Sequence, residues 1–238
     1  MPMISEETLI QKEILRDKIF EVLRGWILDG TYKPGQKIVE YSLAKKLNVS
    51  RAPLREALWL LSQRGLVTLR AHHGAFVTKL SDRDIREIFE LRELLETHAA
   101  RKVRASTNAK DLEPLSHAFD RLAAGAQKRD IVEFTAADLE FHRTLWSLSG
   151  NRQLERFLLD LSTRFFGYEL IRDLPHSPRF RFDDTLDQHR KMVDLIREGT
   201  DQELEAGFRE IFCDFSNYVL TRFSEQEEGA PGGTATED

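Results

Sequence analysis

Residues 40–76, EYSLAKKLNVSRAPLREALWLLSQRGLVTLRAHHGAF, decide the fold of the first third of this chain. A short helix is predicted over 40–47, where small and apolar side chains recur at helical spacing. Ser50 is expected to cap a second helix, since its hydroxyl can accept a hydrogen bond from a free amide of the first turn. Pro53 fits within that turn because its missing N–H costs little there, and Gly65 supplies a left-handed cap at the other end. The stretch therefore predicts a helix-turn-helix.

Two short strands follow this unit, predicted at 66–69 and 75–78 around a Gly-tipped hairpin. Before the unit, apolar residues at helical spacing predict a longer helix over 8–29, which Gly30 ends. We therefore expect residues 1–79 to form a winged helix-turn-helix domain.

The second helix of such a unit is the one that enters the major groove of double-stranded DNA. Arg51 and Arg55 lie four residues apart, on one face of its first turns. Arginine suits this place because its planar fork pairs bidentately with guanine or with phosphate. Lys45, Lys46 and Ser50 are placed for contacts with backbone phosphates. Double-stranded DNA is therefore the expected partner of this domain.

The hairpin tip offers a second contact. His73 and Gly74 are placed to enter the adjacent minor groove, where a glycine lets the backbone approach the sugar-phosphate wall. In the alternative interpretation His73 is a solvent-exposed turn residue, and Arg55 with Glu56 is a surface pair.

Charge is distributed unevenly along the chain. Residues 1–80 carry 13 Lys and Arg against 8 Asp and Glu, whereas residues 81–238 carry 22 against 32. A basic first third suits a polyanion, and an acidic body is repelled by DNA. Segregated charge of this size is also common on domain surfaces without a nucleic-acid partner.

The composition is that of an ordinary globular protein, with 41% hydrophobic and 32% charged residues. The single cysteine, Cys213, cannot form an intramolecular disulfide and suits a reducing compartment. No apolar run approaches the roughly 18–20 residues of a membrane span, and the N-terminus lacks the apolar segment of a signal peptide. We therefore expect a cytoplasmic protein without membrane contact.

Beyond Ser81 the pattern is helical throughout, so the fold class is mainly α. Ser81 and Thr200 are predicted N-caps, and Thr200 with Glu203 has capping-box spacing. Residues 80–224 are expected to form an all-α bundle, followed by a disordered tail over 225–238 that lacks apolar periodicity. The predicted helices are 82–106, 110–128, 131–148, 152–172, 179–198 and 201–224.

Residues 33–77 closely resemble the winged-helix domain of GntR-type bacterial transcription regulators. The matching landmarks are PG, E, LA, VSR, PLREAL, GL and a Gly-tipped wing, nearly all at the expected spacing. The resemblance implies DNA contacts from Arg51, Arg55, His73 and Gly74, with Ser50 and Ala52–Pro53 adjacent.

The body resembles the FCD ligand-binding domain of the FadR-like branch of these regulators. The similarity lies in ELRELLETHAAR (90–101), DLEFHRTLWSLSGN (138–151) and QHRKMVDLIREG (188–199). It implies a homodimer that binds a pseudo-palindromic operator and responds to small organic acids, sugar acids or acyl derivatives. It also implies, in many members, a divalent metal held by an Asp and three His.

Asp138 and His142 are four residues apart on one helix, so both side chains can reach one point inside a bundle. His189 lies where the resemblance places a second imidazole. A hard carboxylate with imidazoles suits Zn, Ni or Mn. The alternative is that such residues make local hydrogen bonds only.

The third family histidine is expected near 211–212, where this chain has Ile211 and Phe212, followed by Cys213. Cys213 is a possible substitute, although it lies about one position off the helical face. Three ligands leave a metal weakly bound, bound through water or absent. A metal-free, more apolar cavity is the coherent alternative.

Arg92 is the candidate anchor for an effector carboxylate, because a buried guanidinium can neutralise it in a dry pocket. Equally, Arg92 and Glu96 have the spacing of a surface or structural pair. The candidate effector-binding residues are therefore Arg92, Asp138, His142 and His189. The aromatic residues of the body are expected to serve core and dimer packing, or else to line the effector pocket: Phe165, Phe166, Phe208, Phe212 and Phe215.

The expected function is that of a transcription regulator, a repressor of a metabolic operon, whose body binds a small carboxylate and thereby alters operator binding. Two alternatives belong to other classes. An architectural DNA-binding protein needs no effector. A metal-dependent enzyme would use Asp138, His142 and His189, but no further base or nucleophile accompanies them, so we expect no enzyme.

Overall fold

The computed structural model describes residues 6–106, 112–173 and 180–228, with side chains over 14–106, 112–171 and 180–221. The N-terminal unit has the helix-turn-helix and hairpin that the sequence predicts. Its elements are α1 (Glu6–Leu28), β1 (Lys37–Ile38), α2 (Glu40–Leu47), α3 (Arg51–Gln63), β2 (Val67–Arg70) and β3 (Gly74–Val77).

The three strands form one antiparallel sheet in the order β1-β3-β2. β2 and β3 are the predicted hairpin, with Val67 opposite Val77 and Arg70 opposite Gly74. β1 was not predicted, because a two-residue strand has no periodicity and forms only where β3 offers it a partner. The wing is therefore attached to the chain segment that leads into α2.

The ends of the two central helices follow from local backbone chemistry. Asn48 ends α2 in the left-handed region at φ 52°, and Gly65 follows the end of α3 at φ 69°. Ser50 holds the N-cap position of α3 with extended backbone, but among the described residues no amide donates a cap bond to its hydroxyl. The predicted capping bond is therefore wrong, although the helix begins where expected.

In the described ranges from residue 82 onward the body consists of helices and their connections, as predicted; residues 110–111 and 179, the predicted starts of two helices, lie outside those ranges. Thr200 and Glu203 form the expected capping box, since each backbone amide donates to the other residue's side chain. The last helix continues past the predicted start of the tail at residue 225, and residues 229–238 lie outside the described ranges. The helices are α4 (Asp82–Ser106), α5 (Glu113–Lys128), α6 (Ile131–Leu148), α7 (Arg152–Asp173), α8 (Phe182–Glu198) and α9 (Asp201–Glu228).

One body helix is also part of the N-terminal core. That core is built from α1, α2, α3 and the sheet, with Leu23, Leu54 and Leu61 fully buried. Ile171, near the end of α7, is buried in the same core, and Leu170 packs against it. α7 therefore joins the two units by packing, in addition to the covalent connection.

None of the helices that the structure describes combines the length and the apolar character needed to cross a membrane.

Candidate functional site

The predicted DNA-facing arginines lie together on the exposed side of α3. The side chains of Arg51 and Arg55 are both 59% exposed. Arg55 donates from Nε to Oε2 of Glu40 at 2.6 Å, and the Arg51 guanidinium lies 3.6 Å from the same oxygen. Glu40 begins α2, so its carboxylate orients both guanidinium groups toward one place. Glu40 was missed, since a pairing across fifteen residues leaves no local signal.

The lysines predicted for phosphate contacts are also exposed. Lys46 lies with its ammonium 4.2 Å from the centre of the Trp26 ring, a cation–π contact with α1, and Lys45 precedes it on α2. Ser50 is exposed in the turn between α2 and α3. These three residues border the same end of α3 as Arg51.

The wing places His73 at its exposed tip, with its amide donating to the carbonyl of Arg70 at 3.0 Å. Gly74 follows at φ 93°, a conformation that favours glycine. Two further cations that were not singled out in the sequence lie over Phe76 of β3: the Arg70 guanidinium at 4.7 Å and the Lys37 ammonium at 5.8 Å. The wing is therefore basic beyond its tip.

A second polar group is enclosed in the body. Asp138 and His142 on α6 and His189 on α8 are each at least 96% buried, and one ligand atom from each lies within 4.8 Å of the others. His189 Nε2 is 2.8 Å, and His142 Nε2 3.4 Å, from the same oxygen of Asp138. The structure thus brings together the three residues that the sequence selected.

His189 is held by hydrogen bonds at both ring nitrogens. Its Nδ1 donates to the carbonyl oxygen of Thr185 at 2.7 Å, and its Nε2 donates to Asp138. Burial lowers the pKa of His189, but the charge of Asp138 together with the hydrogen bonds to Asp138 and Thr185 outweighs burial and raises the pKa above its usual value. Burial likewise acts to raise the pKa of Asp138, while His189 lowers it, with a net decrease. Both shifts favour the charged forms of the two side chains.

The pKa of His142 is shifted in the opposite direction. Its Nδ1 donates to Glu96 at 2.6 Å, and its Nε2 accepts from the Arg92 guanidinium at 3.1 Å. Burial lowers the pKa of His142, and the attraction of Glu96 only partly offsets this. The ring is therefore neutral, and its Nε2 lone pair is directed at the Arg92 guanidinium, 3.4 Å from the Asp138 carboxylate.

Arg92 and Glu96 form a buried pair on α4. The Arg92 side chain is 2% exposed and donates from Nε to Glu96 at 2.7 Å. Burial acts to raise the pKa of Glu96, but Arg92 and His142 lower it to about 2. The surface-pair interpretation is wrong, and the structural pair is confirmed. Arg92 also lines a cavity, but its role as the anchor of an effector carboxylate stays a prediction. The guanidinium is surrounded at 5.2–5.9 Å by the rings of Phe89, Phe165, Phe166 and Phe212.

The enclosed cavity beside these residues is small, about 20 Å³, which is room for a single water-sized molecule. Phe166, Phe212 and Phe215 line it together with the ionic group, whereas Phe208 belongs to the core. A larger crevice of about 700 Å³ lies outside it between α8 and α9. Both spaces share Thr185, Gln188, Ile211 and Phe215 as lining residues.

The donor set fits a divalent cation with three protein ligands. Two imidazole nitrogens and a carboxylate oxygen at these separations are the arrangement of an open metal site. The positions expected for the third histidine do line the cavity. They are occupied by the apolar side chains of Ile211 and Phe212. Cys213 is exposed, so its proposed role as a substitute ligand is wrong.

Two family models match the chain. The model of the bacterial regulatory proteins of the gntR family matches residues 15–77. The FCD domain model matches residues 87–212. The first match covers the helix-turn-helix and wing, and the second covers the buried ionic group.

The chain is similar over most of its length to known regulators. An uncharacterized HTH-type transcriptional regulator of Bacillus subtilis, YdhC, is 28% identical, over 85% of this chain and 91% of its own. A probable D-xylose utilization operon transcriptional repressor of Paenarthrobacter nicotinovorans is 29% identical, over 81% and 84%. The HTH-type transcriptional repressor RspR of Escherichia coli is 25% identical, over 62% of this chain and 64% of its own.

Solved structures share the fold. A GntR transcriptional regulator from Rhodococcus sp. RHA1 superposes with a TM-score of 0.64 at 22% identity, over 87% of this chain and 97% of that one. E. coli McbR/YncC superposes with a TM-score of 0.63 at 18% identity, over 93% and 100%. With its winged helix-turn-helix and helical body, the chain belongs to the GntR family of DNA-binding transcription regulators, in the group that carries an FCD domain.

Proposed function

We propose that this regulator represses a metabolic operon in the bacterial cytoplasm, binding a pseudo-palindromic operator as a homodimer until a small carboxylate effector enters its body. Residues 1–79 form the DNA-binding domain, and the helices that follow, to the end of α9 at Glu228, form the effector-binding and dimerisation domain. The observation that carries the proposal is the exposed arginine pair on α3 together with the ionic group enclosed in the body. The names of two relatives, both repressors, support the direction of control.

Arg51 and Arg55 are the proposed base-reading residues. Glu40 restricts both side chains before DNA arrives, so less conformational entropy is lost on binding. Lys45, Lys46 and Ser50 contact phosphates at the same end of α3. On the wing, His73 and Gly74 contact the adjacent minor groove.

The DNA contact is tested with a fragment selected from a random-sequence pool by the wild-type protein. We expect Arg55→Ala to weaken binding of this fragment roughly 10- to 100-fold, which is the usual contribution of one bidentate base contact. Fluorescence anisotropy measures the affinity. Arg83→Ala is the matched control, because Arg83 is also exposed and paired with a glutamate, at 2.7 Å, but lies on α4. Equal affinities for the two variants would contradict the assignment.

The effector site is the cavity at Arg92. Since the cavity holds little more than one water molecule, a carboxylate ligand must displace the wall formed by α9, and the adjoining crevice between α8 and α9 is the proposed entrance. Such a displacement is the conformational change that couples binding to the operator, because a ligand shifts only an equilibrium whose states it distinguishes.

The second candidate for the same site is a divalent metal, Zn, Ni or Mn, held by Asp138, His142 and His189. When bound, the ion supplies positive charge at the cavity. The charges support this, since Arg92 and His189 already balance Glu96 and Asp138. A carboxylate that joins the group therefore needs further positive charge. Metal binding would displace the Nε2 proton of His189, since only a deprotonated ring nitrogen is a ligand, so a divalent ion would add one net positive charge, which one carboxylate neutralises.

One experiment tests both ligands. The purified protein is analysed for bound metal by mass spectrometry, and its thermal unfolding is followed with a panel of di- and tricarboxylates, before and after chelator. We expect about one metal per chain, stabilisation by a carboxylate, and loss of that stabilisation with chelator or in Asp138→Asn. Stabilisation without metal would contradict the metal proposal alone. No response to any carboxylate would favour an architectural protein without effector.

An exposed apolar stripe on α4 supports a second copy of the chain as partner. Leu91 and Leu94 are 46% and 67% exposed, Leu95 is half-buried, and His98 continues the same face one turn later. Such exposed leucines mark association surfaces. A two-fold axis beside α4 pairs this stripe with itself, and two-fold symmetry is what a pseudo-palindromic operator requires.

A further inference from the structure

The two units of the chain touch through two glycines. Gly65 follows the end of α3, and Gly167 lies within α7. A Cβ on Gly167 would lie 2.6 Å from the carbonyl carbon of Gly65 and 2.7 Å from the carbonyl oxygen of Arg64, and a Cβ on Gly65 would overlap the carbonyl of Thr163. Because the obstructing atoms are backbone atoms, neither side can yield by rotating a side chain.

The contact is anchored on both sides. Toward the DNA-binding unit, Ile171 lies one helical turn beyond Gly167 and is buried in the winged-helix core. Toward the body, Phe166 is adjacent to Gly167 and lines the cavity at Arg92. Phe166 also borders two crevices between the units, of about 540 and 400 Å³, so the packing beside this contact leaves space for small rotations.

We infer that Gly167 is a positioning residue for the DNA-binding helix. Its missing side chain lets α7 seat directly against the turn that ends α3, and this fixes the angle of α3 relative to the body. The inference rests on the proposed function, since in a homodimer joined through the body that angle sets the distance between the two copies of α3. The spacing of the operator half-sites is then determined at Gly167, while the bases within each half-site are read by Arg51 and Arg55.

The cavity and the DNA-binding helix are linked through the same contact. A ligand that enlarges the cavity also displaces Phe166, which lines it, and so moves the adjoining backbone of α7. The contact between Gly167 and Gly65, with Ile171 anchored in the winged-helix core, carries the end of α3 along. Because both obstructing surfaces are backbone, even a small shift of α7 is transmitted instead of being absorbed by a rotamer change.

The test is a selection of binding sites from a random-sequence pool by the wild-type protein and by Gly167→Ala. We expect the variant to enrich the same half-site sequence with an altered or broadened spacing between half-sites, and to bind the wild-type site at least tenfold more weakly. Gly25→Ala is the matched control: Gly25 also lies in a helix, and a Cβ there meets nothing within 4 Å. It should select the wild-type spacing.

Ile171→Ala provides the second variant, because it loosens the anchor of α7 by removing volume and introduces no clash. It should broaden the spacing even if Gly167→Ala fails to fold, as judged by circular dichroism. Wild-type spacing in a folded Gly167→Ala, or in Ile171→Ala when the first variant is unfolded, would overturn the inference. Failure of the wild-type protein to enrich any paired half-sites would instead count against the proposed homodimeric regulator, so the two failures are distinguishable.

Discussion

The Arg92–Glu96 pair offers a comparison in which burial is the main variable. The same helix carries Arg83 and Glu87, with the same spacing, the same atoms and the same 2.7 Å distance. The side chains of the inner pair are 2% and 0% exposed, and those of the outer pair 87% and 56%. We compare the variants Glu96→Gln and Glu87→Gln. A large difference between their free energies of unfolding therefore reports on the low dielectric of the body and on the neighbours of Glu96.

We expect Glu96→Gln to lower the free energy of unfolding by roughly 3–5 kcal/mol, because it keeps the shape of the side chain but leaves the buried Arg92 guanidinium without its hydrogen-bonded counter-charge. At roughly 2–4 °C per kcal/mol for a chain of this size, this corresponds to a decrease in melting temperature of about 10 °C. Glu87→Gln should unfold within error of the wild-type protein. Calorimetry and urea unfolding measure both.

The pH dependence of the difference follows from the pKa of Glu96, which the fold lowers from 4.5 to about 2. A depressed carboxyl pKa stabilises the folded state above pH 4.5, and this contribution is lost as the pH falls from 4.5 toward 2. The difference in free energy of unfolding between the wild-type protein and Glu96→Gln should therefore be constant near neutral pH and decrease below about pH 4.5.

A double variant separates charge from packing. Adding Arg92→Gln to Glu96→Gln removes the orphaned cation, so part of the lost stability should return. Equal melting temperatures of Glu96→Gln and Glu87→Gln would refute the reasoning. So would a double variant that is destabilised by the sum of the two single changes, since that result would mean the residues do not interact.

Three further predictions concern other parts of the molecule. Asp130→Ala should lower stability by about 1 kcal/mol, roughly 2–4 °C by calorimetry, because its carboxylate caps α6 by accepting from the amides of Val132 and Glu133 at 2.9 and 3.0 Å. Leu94→Glu should sediment as a monomer where the wild-type protein sediments as a dimer, because it places a charge in the proposed apolar interface. A dimer that persists in this variant would show that the interface does not include Leu94. Lys45→Ala should reduce the salt dependence of DNA binding by about one unit of slope and leave base preference unchanged, as expected for a phosphate contact; an unchanged slope would remove Lys45 from the interface.

Local signals predicted most of the architecture. The helix-turn-helix, the hairpin and the capping box at Thr200 each depend on residues within a few positions of one another, so the sequence contains the determining contacts. The cap at Ser50 is the exception: Ser50 has the right type and position, yet its hydroxyl accepts no cap bond among the described residues. A two-residue strand such as β1 depends on its partner and was missed for that reason.

In the candidate site, too, the sequence predicted what depends on neighbouring residues, and the structure decided what depends on residues far apart in the chain. Spacing on α6 placed Asp138 and His142 on one face, and the family resemblance added His189 and Arg92. The sequence left open whether Arg92 pairs with Glu96 or lines the pocket, and packing shows that it does both. The sequence placed Cys213 about one position off the ligand face of α9, and the packing of α9 leaves its side chain exposed.

The sequence by itself determined the winged helix, the helical body and the residue types available for DNA and metal, because helical periodicity and caps are properties of neighbouring residues. Only the tertiary structure decided which of these residues meet. His142 reaches Glu96 across 46 residues and His189 reaches Asp138 across 51, and Gly167 meets Gly65 only because α7 is packed into the N-terminal core. Contacts of this kind are set by how helices pack, and packing is a property of the whole chain.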